Sequence, residues 1–311
     1  MSGRVDILIA ATDKHKIYSL STLMRPHQWL KNIFVLAPLI FSRQFIHLHL
    51  CLRAALAFIS FCIVSSAIYI INDLCDVNED RHHPTKRFRS IANGTVNHRT
   101  AIVLSIILIG SSLALAWYID FYVAVAVSIY AVTHIAYSLV LKHIVILDVM
   151  TIAAGFVLRI LGGSISISVA PSHWLVICTI MISLFLGFTK RRAELLGVET
   201  QTLNSRPVLK DYSTTFLDQV IAMVTGATIV CYTLYTVDAR TVALFGTRAM
   251  LVTVPSVMYG LFRYIYIIYH LEQGDDPCHT LIHDIPTLIN LAIWMVASLL
   301  VVTHGRQFSL F

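Results

Sequence analysis

Charge is scarce in this sequence. Asp, Glu, Lys and Arg together make up 13% of its 311 residues, about half the share of an ordinary soluble domain. With 57% of the chain hydrophobic and a mean hydropathy of +0.75, that shortage excludes a soluble globular protein of this length. GxSxG, Walker A and GxGxxG patterns are missing too, which removes serine hydrolases, P-loop ATPases and Rossmann enzymes from contention. There is no CxxC pair, and most of the six scattered cysteines sit inside apolar runs, which argues against a metal cluster or a disulfide framework. Fourteen histidines occur without HExxH spacing and read as loop residues, except His83, which is placed to touch phosphate. The N-terminus, broken by Asp6, Asp13, Lys14, His15 and Lys16, lacks the pattern of a cleaved signal, so the first true span is expected to act as the anchor.

Long apolar stretches are abundant. A bilayer core requires about 20 mostly apolar residues per helix, and nine stretches qualify: roughly 29–48, 53–74, 100–119, 121–141, 144–163, 172–190, 214–237, 248–271 and 285–304. In lipid every backbone polar group must be satisfied internally, and runs without period-2 alternation choose helices over a barrel. The expectation is an all-α membrane protein of nine transmembrane helices, one polytopic domain over 1–311 with a short cytoplasmic segment at 1–28. Gly162–Gly163 reads as a helix end.

The formal net charge of +6 could serve nucleic acid, an anionic membrane surface or an anionic substrate. Apolar runs between the charges favour the last two, so no nucleic-acid partner is expected. Sixteen of the 23 Lys and Arg residues fall on one side if the N-terminus is cytoplasmic, in clusters around 4–31, 81–99, 142 and 190–210. Cytoplasmic loops carry such an excess, which predicts N-inside, C-outside insertion. Small-residue faces that could drive homo-oligomerisation are too diffuse to name a state.

Span 2 ends in YIINDLCDVNEDRHHPTKRFRSIANG. At 100° per residue Asn72, Asp73, Asp76 and Asp80 share an arc of about 100°, with Tyr69 one turn before them. Oxygen ligands without His or Cys suit Mg²⁺, which binds one or two carboxylates plus substrate phosphates, so the implied substrate carries a pyrophosphate. The plainer alternative is a solvated acidic face, although ionisable residues at membrane depth are costly and usually functional. Lys86, Arg87 and Arg89 follow, either as phosphate donors or as topology signals. Span 6 ends in FTKRRAELLG, where Lys190, Arg191 and Glu194 occupy a similar arc of inverted charge. That arc is either a second anion site sharing a cavity with the first or a topology anchor. Tyr137, Lys142 and Asp148 fall between spans 4 and 5, and Arg159, deep in span 5, is expected to face the bundle interior.

NDxxDxxxD at 72–80, HPTKRFRSIANG at 83–94 and YSLVLKHIVILDV at 137–149 together resemble the UbiA superfamily of intramembrane prenyltransferases across essentially all nine spans. The resemblance implies a ring of helices around a lipid-accessible central cavity, with Mg²⁺ bridging a pyrophosphate. The chain departs from the aromatic-acceptor branch after span 6, where KRRAEL replaces a second aspartate-rich motif. Ser90 stands where the superfamily often has proline. MRPHQWLKN at 24–32, TKRRAEL at 189–195 and YSTTF at 212–216 are similar instead to the phosphoribosyltransferase branch. That likeness implies transfer of phosphoribose from phosphoribosyl pyrophosphate to a polyprenyl phosphate at the plasma membrane, in the supply of arabinan precursors for cell walls. It assigns Asn72, Asp73 and Asp76 to the metal and catalytic site, and Lys31, Tyr69, Asp80, Lys86, Tyr137 and Lys142 to the donor. Arg159, Lys190 and Arg191 go to the acceptor phosphate. An isoprenyl transferase acting on a small acceptor and a transporter of an anionic cargo remain alternatives.

Overall fold

A computed structural model of the chain describes residues 22–200, 207–270 and 283–307. Arg4, Lys14, Lys16 and Arg206 of the charge tally, and most of segment 1–28, lie outside the described residues. Every regular element among the described residues is helical: a 3₁₀ helix Pro26–Leu36, then α1 (Ala37–Phe41), α2 (Leu48–Cys75), α3 (Val77–His82), α4 (His98–Ile119), α5 (Phe121–Leu139) and α6 (Leu147–Ser166). These are followed by α7 (His173–Thr200), α8 (Thr214–Val237), α9 (Ala239–Phe245), α10 (Val254–His270) and α11 (Ile285–His304), with shorter 3₁₀ turns between. Among the described residues, eight helices are long and apolar enough to cross a membrane.

Eight of the nine expected spans therefore stand as long helices, and the first does not. Residues 29–48 are not one α-helix: the 3₁₀ helix starts at Pro26 and passes into the short α1. At about 2.0 Å per 3₁₀ residue and 1.5 Å per α residue, Pro26–Phe41 still extends about 30 Å. Its tight winding fits against α6, because a Cβ added at Gly163 would stand 2.0 Å from the Val35 carbonyl oxygen and one at Gly162 would stand 2.5 Å from the Phe61 ring. The glycine pair is thus a packing surface inside α6, not the helix end expected of it.

Capping side chains set the other boundaries. Asn97 accepts from the Arg99 amide to start α4, Asp120 from Tyr122 to start α5, and Ser213 from Phe216 to start α8. Asp284 accepts from Thr287 to start α11. Hydrogen bonds from Arg263 to Asp284, and then those from Thr287, pull its carboxyl down to about 2.

By packing, the described residues fall into two compact units. Of the described residues, the first holds those in 22–39, 47–142 and 158–169, and the second those in 40–46, 143–157, 170–200, 207–270 and 283–307. In the first, α2 supplies Phe61, Val64 and Ile68 to a core shared with Val123, Val127 and Tyr130 of α5. Ser60 and Ser112 hydrogen-bond each other's carbonyls at 3.0 and 2.8 Å, so α2 and α4 meet through small residues. In the second, Phe185 and Phe188 of α7 pack with Leu217 and Ile221 of α8 and with Leu261 and Tyr264 of α10.

Candidate active site

The carboxylate face lies at the end of α2. Near the opposite end of that helix, Arg53 donates to the carbonyls of Ser166 and Ile119, filling the unpaired acceptors of two helix ends. Twenty residues, or about 30 Å of helix, separate Arg53 from Asp73, which is the thickness of a hydrocarbon core. With α2 crossing a membrane, that length would carry Asp73 to the boundary where apolar solvent gives way to headgroups. Backbone bonds from the Asp76 amide to Asn72 and from the Asp80 amide to Asp76 carry helical register across the break between α2 and α3, keeping all four side chains on one face.

Each carboxylate on that face holds a cation. Asp73, 3% exposed, accepts from Arg25 at 2.5 Å and from Arg89 at 3.1 Å. Arg89 also reaches Asp80 at 2.6 Å. Asp76 pairs with Lys142 through one oxygen and accepts from the Asn72 amide at 2.8 Å through the other. Repulsion among the like charges is thus offset residue by residue. Arg25 carries no signal of a site residue in the sequence beyond its place in MRPHQWLKN, and Arg89, expected as a phosphate donor or a topology signal, instead pairs with the carboxylates. Arg25 also adopts a left-handed conformation, φ 50°, and its guanidinium lies 5.3 Å from the Tyr69 ring centre. Such backbone strain in a bulky residue is uncommon and gathers at functional positions.

The donors on this face are all oxygens, as magnesium prefers. Among the described residues no three His, Cys, Asp or Glu side chains converge to hold an ion by themselves. The set therefore fits a cation whose coordination is completed by substrate oxygens and water. In the loop beyond, the His83 ring nitrogen lies within 3.3 Å of the Thr85 and Lys86 amides and 3.2 Å of the Thr85 hydroxyl. Burial, and then the charge of Lys86, hold its pKa below the ordinary histidine value.

A polar stripe runs inward from the carboxylates within the first unit. Ser65, Tyr69, Asn72 and Asp76 recur along one side of α2, and Tyr130, His134 and Tyr137 recur along one side of α5. At its inner end Arg159, 4% exposed, donates to Asn32 at 2.7 Å and to the Tyr130 hydroxyl at 2.8 Å. Asn32 in turn donates to Ser65 at 3.1 Å. Arg159 faces the interior, as a cation at that depth must. Lys31, Lys86 and Tyr137 are half-buried in the same unit.

The basic arc of α7 is tied together by ion pairs. Arg191 is enclosed at 2% exposure, donating to Asp148 at 2.5 Å and to Glu194 at 2.6 Å. Lys190, a third exposed, lies 4.0 Å from Glu194. Tyr212 donates to Asp148 at 2.7 Å and accepts from the Ile146 amide at 2.7 Å. Burial, and then the bond to Asp148, raise the Tyr212 pKa and keep the phenol a donor. The hydroxyl also holds Ile146 at φ 70°, a conformation β-branched residues rarely adopt.

The sequence pattern that defines the UbiA prenyltransferase family matches residues 33–283. The chain is similar to the decaprenyl-phosphate phosphoribosyltransferase of Mycolicibacterium smegmatis, 34% identical over 230 residues covering 73% of this chain and 72% of that one. It is also similar to the protein of the same name from Mycobacterium tuberculosis, 32% identical over 216 residues covering 68% and 72%. A solved UbiA homolog from Archaeoglobus fulgidus, bound to GPP and Mg²⁺, superposes with a TM-score of 0.68 at 17% identity, over 92% of this chain and 99% of that one. Eight apolar helices, the paired carboxylate face and these matches lead to one conclusion: the chain belongs to the UbiA prenyltransferase family.

Proposed function

We propose that the protein transfers a 5-phosphoribosyl group from phosphoribosyl pyrophosphate to a polyprenyl phosphate, releasing pyrophosphate. The bond from C1 to the pyrophosphate oxygen breaks with its electron pair leaving on pyrophosphate, and a lipid-phosphate oxygen bonds to C1. The observation that carries this reading is the carboxylate face of Asn72, Asp73, Asp76 and Asp80 interleaved with Arg25, Arg89 and Lys142. The similarity to decaprenyl-phosphate phosphoribosyltransferases over nearly three quarters of the chain supports it.

Asn72, Asp73 and Asp76 would hold Mg²⁺, with Asp80 supporting them through Arg89. That ion supplies charge neutralisation of the leaving pyrophosphate. Lys86 and Lys142 bind pyrophosphate oxygens left over, while Tyr69, Tyr137 and Lys31 line the donor's path along the polar stripe. The acceptor is already ionised, since a phosphate monoester loses its second proton near pH 6. No general base is therefore required, and holding the two reactants in line is the main task. Because two carboxylates enclose Arg191, we assign the acceptor phosphate to Lys190 and treat Arg191 as the group that fixes this end of α7. Arg159 joins the donor set, since its network is continuous with Asn32 and the stripe. The protein lies in the plasma membrane with its N-terminus and this site on the cytoplasmic side.

The test is a radiolabel assay. Membranes carrying the protein, given Mg²⁺, a polyprenyl phosphate and either labelled phosphoribosyl pyrophosphate or labelled isoprenyl pyrophosphate, should yield a lipid-linked product from the first alone. Product from the isoprenyl donor alone would establish the other enzyme class, and no covalent product from either would favour a transporter.

A further inference from the structure

His134 stands beside Tyr130 with ring centres 4.3 Å apart and leads on to Tyr137 at 6.5 Å. Its Nε2 is shut off from solvent and has no hydrogen-bond partner among the described residues. Buried polar atoms in native proteins are rarely left so, and each that is calls for a reason. Arg159 and Lys31 both act on this imidazole electrostatically, and Arg159 is fixed nearby by its bond to the Tyr130 hydroxyl and its position 4.8 Å from that ring's centre. Arg159 and an unsatisfied ring nitrogen therefore flank one tyrosine, within electrostatic reach of Lys31, in a stretch where a hydrocarbon tail would meet polar groups it cannot satisfy.

The separation from the carboxylate face is set by α2. Asn32 at the inner cluster bonds Ser65, and Ser65 lies seven residues before Asn72, about 10 Å along the helix. A ligand reaching both places must carry anionic or hydrogen-bonding groups at its two ends. A sugar bearing pyrophosphate at one end and a phosphate monoester at the other does so, and an isoprenyl pyrophosphate does not.

We infer that His134, together with Arg159 and Lys31, receives the phosphate monoester at the far end of the sugar donor and is the residue that discriminates it from an isoprenyl donor. The inference rests on the phosphoribosyl transfer proposed above. With a phosphate bound, Nε2–H donates to a phosphate oxygen, and the orphaned atom is satisfied. Buried sites built to bond a polar group reject analogues lacking it far more strongly than apolar pockets reject an added methylene.

The substitution His134→Phe keeps a ring against Tyr130 and deletes Nε2, while His134→Gln restores a donor near the same point. In the full-length protein, His134→Phe should raise KM for phosphoribosyl pyrophosphate about tenfold to a hundredfold and leave KM for polyprenyl phosphate unchanged; His134→Gln should recover part of the loss. Ribose 5-phosphate, carrying the far phosphate alone, should inhibit His134→Phe more weakly than wild type by a similar factor, and pyrophosphate should inhibit both equally. A change confined to the lipid substrate, an equal change for both inhibitors, or no change in either overturns the assignment. Should His134→Phe fail to fold, thermal melting of the wild type decides. Ribose 5-phosphate must raise its midpoint and ribose must not, and any other outcome refutes the site. Failure of the underlying reading looks different, since wild type would then make no labelled lipid from phosphoribosyl pyrophosphate.

Discussion

The network of Tyr212, Asp148 and Arg191 can be taken apart one partner at a time. Tyr212→Phe removes the acceptor of the Ile146 amide and the donor to Asp148, two hydrogen bonds in a site where Asp148 is 0% and Arg191 2% exposed. A neutral bond contributes about 1 kcal/mol and one to a charged group about 1.5–3, so the loss should be about 2–4 kcal/mol. Asp148→Ala leaves Arg191 with Glu194 as a remaining carboxylate, and uncoupling a buried ion pair costs about 3–5 kcal/mol. The double variant should lose less than the sum, by about 1 kcal/mol or more, because the first change has already orphaned the group that the second removes. Reversible unfolding in mixed micelles, followed by circular dichroism for the four proteins of this cycle, measures all three quantities. Additivity to within about 0.5 kcal/mol would refute the claim that these side chains act as one network.

Three further outcomes are expected of single substitutions. Asp73→Asn keeps the shape of the site but removes the carboxylate that Arg25 and Arg89 share, and product formation should fall by about a hundredfold or more, nearly 3 kcal/mol of barrier. Gly163→Ala should destabilise the protein, because its methyl would meet the Val35 backbone, which cannot swing aside; Gly110→Ala in α4, with nothing within 4 Å, should be neutral or stabilising by about 1 kcal/mol. His83 binds its proton less readily when folded, so its contribution is present above the ordinary histidine pKa of about 6.5 and is lost as pH falls through the lower folded value. Wild type should therefore lose stability between pH 7 and 5 more steeply than His83→Gln in thermal melts.

Much of the architecture was legible because a bilayer makes simple demands. Apolar runs of the right length can only be helices, and eight of the nine became long ones. The first did not, because hydropathy measures the length of a run and not its winding: Pro26 marks a start, but nothing in FVLAPLI distinguishes 3₁₀ from α. The carboxylate arc was legible because residues 72–80 keep one helical register through the break at Asp76. The ion pairs it makes were not, since Arg25 lies 48 residues and Lys142 lies 66 residues from their partners in the chain. Periodicity carries no information at that range. Charge sign alone also says nothing of the partner of Arg191, the centre of a basic tripeptide, which bonds Asp148 43 residues away. Gly162–Gly163 was read as punctuation, whereas it is where one backbone rests on another.

The carboxylate face carries an electrostatic condition on its own ligand. Asp73, Asp76 and Asp80 contribute three negative charges, and their partners Arg25, Arg89 and Lys142 contribute three positive ones. A pyrophosphate entering alone would bring several negative charges to a set of side chains already in balance. It would have to draw the cations from their carboxylates, leaving these uncompensated in a half-buried site where that costs several kcal/mol. A divalent cation entering with it removes the conflict, because the ion takes up the carboxylates while the freed Arg and Lys side chains turn to phosphate oxygens. Binding should therefore be strictly linked: pyrophosphate should raise the thermal midpoint of the protein only with Mg²⁺ present, and Mg²⁺ without pyrophosphate should raise it little. The triple change Asp73→Asn, Asp76→Asn and Asp80→Asn leaves three unpaired cations and should invert the behaviour, binding pyrophosphate without magnesium. Equal stabilisation of the wild type by pyrophosphate in Mg²⁺ and in EDTA would show that these six side chains do not form the donor site.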